Sequence, residues 1–370
     1  MRAKVACGFF IVIFLIMLLL PLVFVNLHDG IASEQENRML ATRPPIYSLF
    51  TQPTDFTRQF DEWFSDNVGF REQFISLYKK LDILGTQGHT GQYYTLIGQQ
   101  GHRFFADTGG GMISKFQGKA SLSDEQLEIL SSGLNNIKTY LDKKDIPLIV
   151  MFCVDKETIY PEYYPKSIIR GPVQLDRISK YVDTNTNVDF FNIKEALLSA
   201  KESYHVFNKA NGDLSHYNDV GAFFAYQELM KHISVYMPYM EPLTIDDINI
   251  SNYERIPEVA LVEDIKYHRL EATFFDEVNL DYPSDGLAFE NDDKSLPTIL
   301  VMRDSYFGSG NYISRYISQH FGKTILIHHR EMKHFEEYID YFNPDIVVFE
   351  SAERELRPFV NAIIVSQQFK

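Results

Sequence analysis

The chain has 370 residues, 45% of them hydrophobic, enough to bury one large core or two ordinary ones, which excludes an intrinsically disordered chain. A net charge of −15 at pH 7 excludes nucleic acid, or an anionic membrane surface, as a partner reached through general electrostatics. Two cysteines, Cys7 and Cys153, exclude a disulfide framework.

Residues 5–25 carry no charge over 21 positions. As a helix rising about 1.5 Å per residue, this run reaches across roughly 30 Å of hydrocarbon. Arg2 and Lys4 precede it, so the positive-inside rule puts the short tail in the cytoplasm and the rest of the chain outside. A cleaved signal peptide is the alternative, but the run is long for one and no A-x-A-like site follows Val25. The expectation is a single-pass cell-membrane protein with an extracytoplasmic body.

After the anchor, Pro44 and Pro45 break helix and predict an extended arm. Phe70, Phe74, Leu77, Leu81 and Leu84 recur every three or four residues, one face of an amphipathic helix. Residues 94–107 carry apolar residues on both sides of Gly98-Gln99-Gln100-Gly101 and predict a β-hairpin. Ser123 with Gln126 fits a capping box, and Leu127, Leu130, Leu134, Ile137 and Leu141 continue it as a helix that ends before Pro147. Strands are predicted at 148–153, 187–191, 297–302, 324–329 and 345–350. Helices are predicted at 192–202, 219–233, 310–321 and 331–342.

Continuous apolar strands alternating with amphipathic helices predict an α/β fold, a parallel sheet covered by helices on both faces. The organisation expected is a tail and anchor over 1–26, an arm, helix and hairpin over 27–120, and the α/β domain over 121–370. Residues 241–296 are acidic and break the alternation, so they read as an excursion from that domain.

In open parallel sheets, sites form at the carboxyl ends of strands. Ser305 directly follows the predicted strand at 297–302, and Gly308 and Gly310 give a loose turn before the next helix. A serine hydroxyl is a weak nucleophile until a base removes its proton, and histidine braced by a carboxylate is the usual base. Asp213 and His216, three apart before the helix at 219, supply both. Backbone N–H groups beside Ser305 are expected to meet a developing oxyanion. Asn311 and Asn218 are candidates for its side-chain donor, and Tyr217 and Arg303, flanking the two blocks, for substrate contact. Asp304 is expected to support the turn. Asp155 and Lys156 read as site scaffolding or as a plain surface salt pair.

Several segments in one order resemble a known family. They are "ENRML" with "FDEWFSDNVGFREQF", "LIGQQGHRFFAD", "IVMFCVDKETIYPEYYP", "GDLSHYNDVGA", "VMRDSYF" and "NPDIVVFESAEREL". Together they resemble the SGNH-hydrolase-like proteins of the alginate-acetylation group, the AlgJ and AlgX type, often grouped with DHHW proteins. The resemblance implies an SGNH-hydrolase-like domain, anchored outside the cytoplasm. It would transfer or remove acetyl groups on a polysaccharide or wall glycopolymer, beside a multi-pass membrane O-acyltransferase, through Ser305, His216 and Asp213. It implies no cofactor. The chain departs from the pattern at the Asp213-x-x-His216 spacing, followed by Tyr217, at Val154 in place of Pro, at Arg303 in place of Gly, and at His102-Arg103 in place of Trp-Leu.

The alternative from another class is a non-catalytic polysaccharide-binding or scaffold subunit of an envelope acetylation or export complex. It is the better reading if Ser305 and His216 stand far apart. A metal enzyme using His328, His329 and His334 is a third reading, but adjacent histidines on a strand point to opposite faces and make a poor ligand pair.

Overall fold

The computed structural model describes residues 10, 14–16, 19–28, 32–33, 38–71, 73–74, 89–90, 95–106, 111–252, 257–262, 267–269, 287–308 and 313–366. The chain divides into two compact units, Met1–Tyr93 and Tyr94–Lys370.

In the first unit, helix α1 (Pro53–Asn67) starts with a proline whose fixed φ suits a first helical turn. Its last residues hold the extended arm. Asp66 Oδ2 accepts from the Ala41 backbone N–H at 2.9 Å, and Asn67 Nδ2 donates to Ala41 O at 3.0 Å. Most of the predicted helix over 70–84 lies outside the described residues. So does part of the apolar run at 5–25, and among the described residues no helix is long and apolar enough to cross a membrane.

The second unit opens with the predicted hairpin. Strands β1 (Thr95–Ile97) and β2 (Arg103–Phe105) pair antiparallel, and Gln100 and Gly101 turn between them at positive φ. Helix α2 (Gly111–Phe116) follows, then α3 (Asp124–Asp142), whose N-terminus carries the full reciprocal Ser123–Gln126 capping box. The elements that build the sheet and its helical layers are β3 (Leu148–Cys153), α4 (Gln174–Asn185), β4 (Asp189–Asn192), α5 (Lys194–Ala200), α6 (Asp219–Tyr236), β5 (Tyr267–Arg269), β6 (Leu287–Asn291), β7 (Thr298–Arg303), α7 (Ile313–Ser318), β8 (Lys323–His328), α8 (Phe335–Phe342), β9 (Ile346–Ala352) and α9 (Leu356–Ser366).

Seven strands form one sheet in the order β5-β6-β8-β7-β9-β3-β4. The five from β8 to β4 run parallel. All six residues of β3 and all seven of β9 are buried, which explains the unbroken apolar sequence of β3 and the apolar run Ile346–Phe349 that opens β9. One group of helices, α3, α4 and α9, and another, α5, α6 and α7, each pack together and reach the sheet.

The stretch read as an excursion does more than that. Its β6 pairs antiparallel with β8, and β5 with β6, so the sheet's edge is antiparallel. A strand buried only in part needs no long apolar run, and Leu-Ala-Phe-Glu-Asn among acidic residues did not announce one. The helix predicted over 331–342 begins only at Phe335. A 3₁₀ turn over His329–His334 precedes it, started by His328 accepting from the Arg330 N–H.

Candidate active site

Three neighbouring parallel strands end side by side. β7 leads into Asp304-Ser305, β9 into Glu353-Arg354, and β3 into Asp155-Lys156. The exit of β7 is pinned to β9. The Asp304 N–H donates to Glu350 Oε2 at 3.0 Å, and Asp304 Oδ2 accepts from the Ala352 N–H at 2.5 Å. Asp304 Oδ1 accepts from the Tyr306 N–H at 2.8 Å, capping a 3₁₀ turn over Ser305–Phe307. Buried Tyr306 and Phe307 anchor that turn, and Ser305 stays exposed.

The histidine arrives on a braced loop. Phe207 and Tyr217 close it through a β-bridge, and Gly212 turns it at φ 75°. Asn218 N–H donates to Val206 O at 3.1 Å. A Cβ on Gly221 would stand 2.2 Å from that same carbonyl, so only glycine lets α6 approach this closely.

Within the loop, Asp213 Oδ1 accepts from the Ser215 N–H at 2.8 Å and the Ser215 hydroxyl at 2.7 Å, an Asx-type turn. Asp213 Oδ2 is 2.6 Å from His216 Nδ1, and His216 Nε2 is 2.9 Å from Ser305 Oγ. The fold therefore brings residues 89 apart in sequence into one hydrogen-bonded line. Burial alone would raise the Asp213 carboxyl, but the hydrogen bond and charge of His216, aided by Ser215, hold it well below the usual carboxylate range. A carboxylate facing Nδ1 accepts a hydrogen bond from Nδ1–H, which fixes the proton there and leaves Nε2 as the acceptor for the serine hydroxyl.

Beneath this line lies a layer of buried charge. Arg354 Nη1 donates to Asp155 Oδ1 at 2.5 Å, to Ser215 O at 2.8 Å and to Tyr306 Oη at 3.3 Å. Its Nη2 stands 3.1 Å from His216 Nε2, and its guanidinium lies over the Tyr306 ring at 5.0 Å. Asp155 also pairs with Lys115, which reaches Glu157 at 3.1 Å. Glu353 accepts from the Thr158 hydroxyl at 2.7 Å and from the Asp155 N–H at 3.3 Å. Lys156 donates to Arg103 O at 2.6 Å, Lys209 O at 3.1 Å and Asn208 O, so one ammonium ties the hairpin and the histidine loop to the exit of β3. Burial draws its pKa down to about 7. Asp155 and Lys156 are thus both buried, with none of the exposure of a surface salt pair.

The other predicted residues fall elsewhere. Asn218 caps α6, accepting from the Val220 and Gly221 N–H groups and donating to His205 O at 2.7 Å. Tyr217 is buried and donates to Tyr306 O at 3.3 Å, which makes it part of the site's floor. Arg303 is buried too, with Nη1 on Asp304 O at 3.2 Å. Asn311 lies outside the described residues. The N–H groups of Asp304, Tyr306 and Gly308, expected to face an oxyanion, bond instead to Glu350, Asp304 and Ser305 O. Of the three histidines, His329 is fully buried and burial lowers its pKa to about 3, while His334 pairs with Glu337 at 2.5 Å. Among the described residues, no group of three or more His, Cys, Asp or Glu could hold a metal ion.

Arg354 is the residue that sequence reasoning did not single out. Its signals were Glu353-Arg354 just past a strand's carboxyl end and their place in the segment "NPDIVVFESAEREL". It also borders a cleft of about 420 Å³ lined by Phe105, Met112, Leu122, Gln174 and Arg357 among others.

No protein-family model and no curated protein matches the chain. Solved structures do. Bacillus cereus PatB1 with a sulfonyl adduct is similar at a TM-score of 0.52 and 14% identity, covering 71% of this chain and 94% of its own. A DHHW family protein from Eubacterium siraeum is similar at 0.47 and 13%, covering 74% and 98%. The O-acetyltransferase domain of Pseudomonas putida AlgJ is similar at 0.44 and 13%, covering 73% and 98%. The first likeness is one of fold, and the other two, below one half in TM-score, add no weight to it. The chain is thus similar in fold to PatB1.

Proposed function

We propose that the chain is a serine-dependent O-acetyltransferase or acetylesterase with an SGNH-hydrolase-like domain, acting on a cell-surface polysaccharide or wall glycopolymer. The observation that carries this reading is the unbroken line from Asp213 Oδ2 through His216 to Ser305 Oγ, with contacts of 2.6 Å and 2.9 Å. The binding-subunit alternative gives no reason for a base to touch an exposed serine. The run at 5–25 serves as the membrane anchor in the same reading, with the domain outside the cytoplasm and a multi-pass membrane O-acyltransferase as partner.

Ser305 Oγ attacks the carbonyl carbon of an acetyl ester while its proton passes to His216 Nε2, and the carbonyl π pair becomes an oxyanion. Collapse of that intermediate expels the donor's alcohol, which takes the proton from Nε2 and leaves Ser305 acetylated. A sugar hydroxyl deprotonated by Nε2 then resolves the acyl-enzyme for transfer, or water does so for hydrolysis. Asp213 stays ionised throughout and steadies the imidazolium.

PatB1 is known with a sulfonyl adduct, so a sulfonyl fluoride is a fitting probe here. Mass spectrometry of the full chain should find one sulfonyl group on Ser305. Ser305→Ala should abolish that adduct and lower chromogenic acetyl-ester turnover by several powers of ten. Undiminished turnover in Ser305→Ala would overturn the assignment.

A further inference from the structure

His216 Nε2 has two neighbours, Ser305 Oγ at 2.9 Å and Arg354 Nη2 at 3.1 Å. With Nδ1–H donating to Asp213, Nε2 offers a single in-plane lone pair, and both neighbours are donors. A guanidinium cannot give up its proton, so only the serine can transfer one. When it does, an imidazolium forms beside a fixed cation and no longer accepts from it. Nη2 therefore loses its partner at the same step in which negative charge first appears next to Ser305 Oγ. The rest of the guanidinium is already held, through Nη1 on Asp155, Ser215 O and Tyr306, and by the ring beneath it. The N–H groups of Asp304, Tyr306 and Gly308 are already engaged, the first by Glu350 on β9 and the other two within the turn. Arg354 also lines the neighbouring cleft, so it faces space that a substrate can enter.

We propose that Arg354 is a catalytic residue whose Nη2 passes from His216 Nε2 to the ester's carbonyl oxygen as Ser305 attacks. The oxyanion then sits between two cations, the new imidazolium and the standing guanidinium. The bond formed is Oγ–C, the π pair moves onto oxygen, and the serine proton rests on Nε2. Arg354 changes hydrogen-bond partner without changing protonation. This inference rests on Ser305 and His216 acting as proposed above.

The experiment uses the full chain, a chromogenic acetyl ester, and an alkylboronic acid that forms an anionic tetrahedral adduct with a serine. Arg354→Gln alone leaves Asp155 with Lys115 as its one cation, so Arg354→Gln/Asp155→Asn is measured beside it. Both variants should lose about 10²- to 10³-fold in kcat with KM little changed, the scale of a lost oxyanion donor. Boronate affinity should fall in parallel, and Arg354→Lys should keep part of both. Folded variants within threefold of wild type overturn the proposal. So does a fall in kcat with boronate affinity unchanged, which would make Arg354 a positioning residue. A wild type that neither hydrolyses the ester nor takes the sulfonyl label on Ser305 overturns the proposed function, and the role of Arg354 with it. An active, labelled wild type with indifferent Arg354 variants overturns the role alone.

Discussion

The line Asp213–His216–Ser305 and the charge layer below it are built from similar groups under opposite conditions. In the line, the Asp213 side chain is 50% exposed and the serine stands in the open. In the layer, the Asp155 side chain is 1% exposed, Lys115 10% and Arg354 11%. Exposed charges are screened and interact weakly, whereas buried ones require partners and lock geometry. The contrast teaches a division of labour. Chemistry is placed where substrate can reach it, and the distances it needs are set one layer down, with Arg354 alone belonging to both.

The sharpest way to break the contrast is Asp155→Asn. It leaves Lys115 and Arg354 without the carboxylate between them, and urea unfolding should report a loss of about 3–5 kcal/mol. If the variant is as stable as wild type, the layer does not hold the site. Next comes Lys156→Met, which keeps bulk but removes three donations to backbone carbonyls. A loss of about 1–3 kcal/mol is expected, together with slower ester turnover because the histidine loop loosens. The smallest effect is in pH and has opposite signs in the two regions. Asp213 is held low in the folded state, so the stability it contributes is present above about pH 4 and lost as pH falls further. Burial, reinforced by Asp155 and Glu353 and opposed by Lys115, raises Glu157 from its ordinary value to about 7. The folded state keeps that proton where the unfolded chain has released it, so stability falls as pH rises from about 4.5 to about 7. Asp213→Asn should flatten the acid limb of a melting-temperature profile, and Glu157→Gln the limb toward neutrality. A profile indifferent to both substitutions would erase the distinction.

What could be read beforehand divides along the same boundary. Fully buried strands betray themselves by unbroken apolar runs, so β3, β7, β8 and β9 were found within two residues of their limits. Asp213, His216 and Ser305 were legible because each stands at an element's end, where a polar side chain has a use. Arg354 was not, because a Glu-Arg pair after a strand looks like any solvated turn until the neighbouring strand's Asp155 is placed beside it. Asn218 misled for a related reason. An asparagine near a candidate base could serve an oxyanion or a helix, and the free N–H groups of α6 claimed it. The strand β6, next to the sheet's edge, escaped notice because its apolar run is only three residues long and its flanks are acidic.

The parallel register of β7 against β9 acts as a ruler between Ser305 and Arg354. Met302 stands opposite Phe349, and each chain then has only a few residues to its polar group. Lengthening or shortening β9 by one residue would carry the guanidinium about 3.3 Å along the sheet and turn alternate side chains to the opposite face. Drift in this protein is thus freer in the acidic edge segments than in the length of that one strand, where a single insertion would disconnect the arginine from the serine and disturb the contacts that pin Asp304 to the same strand.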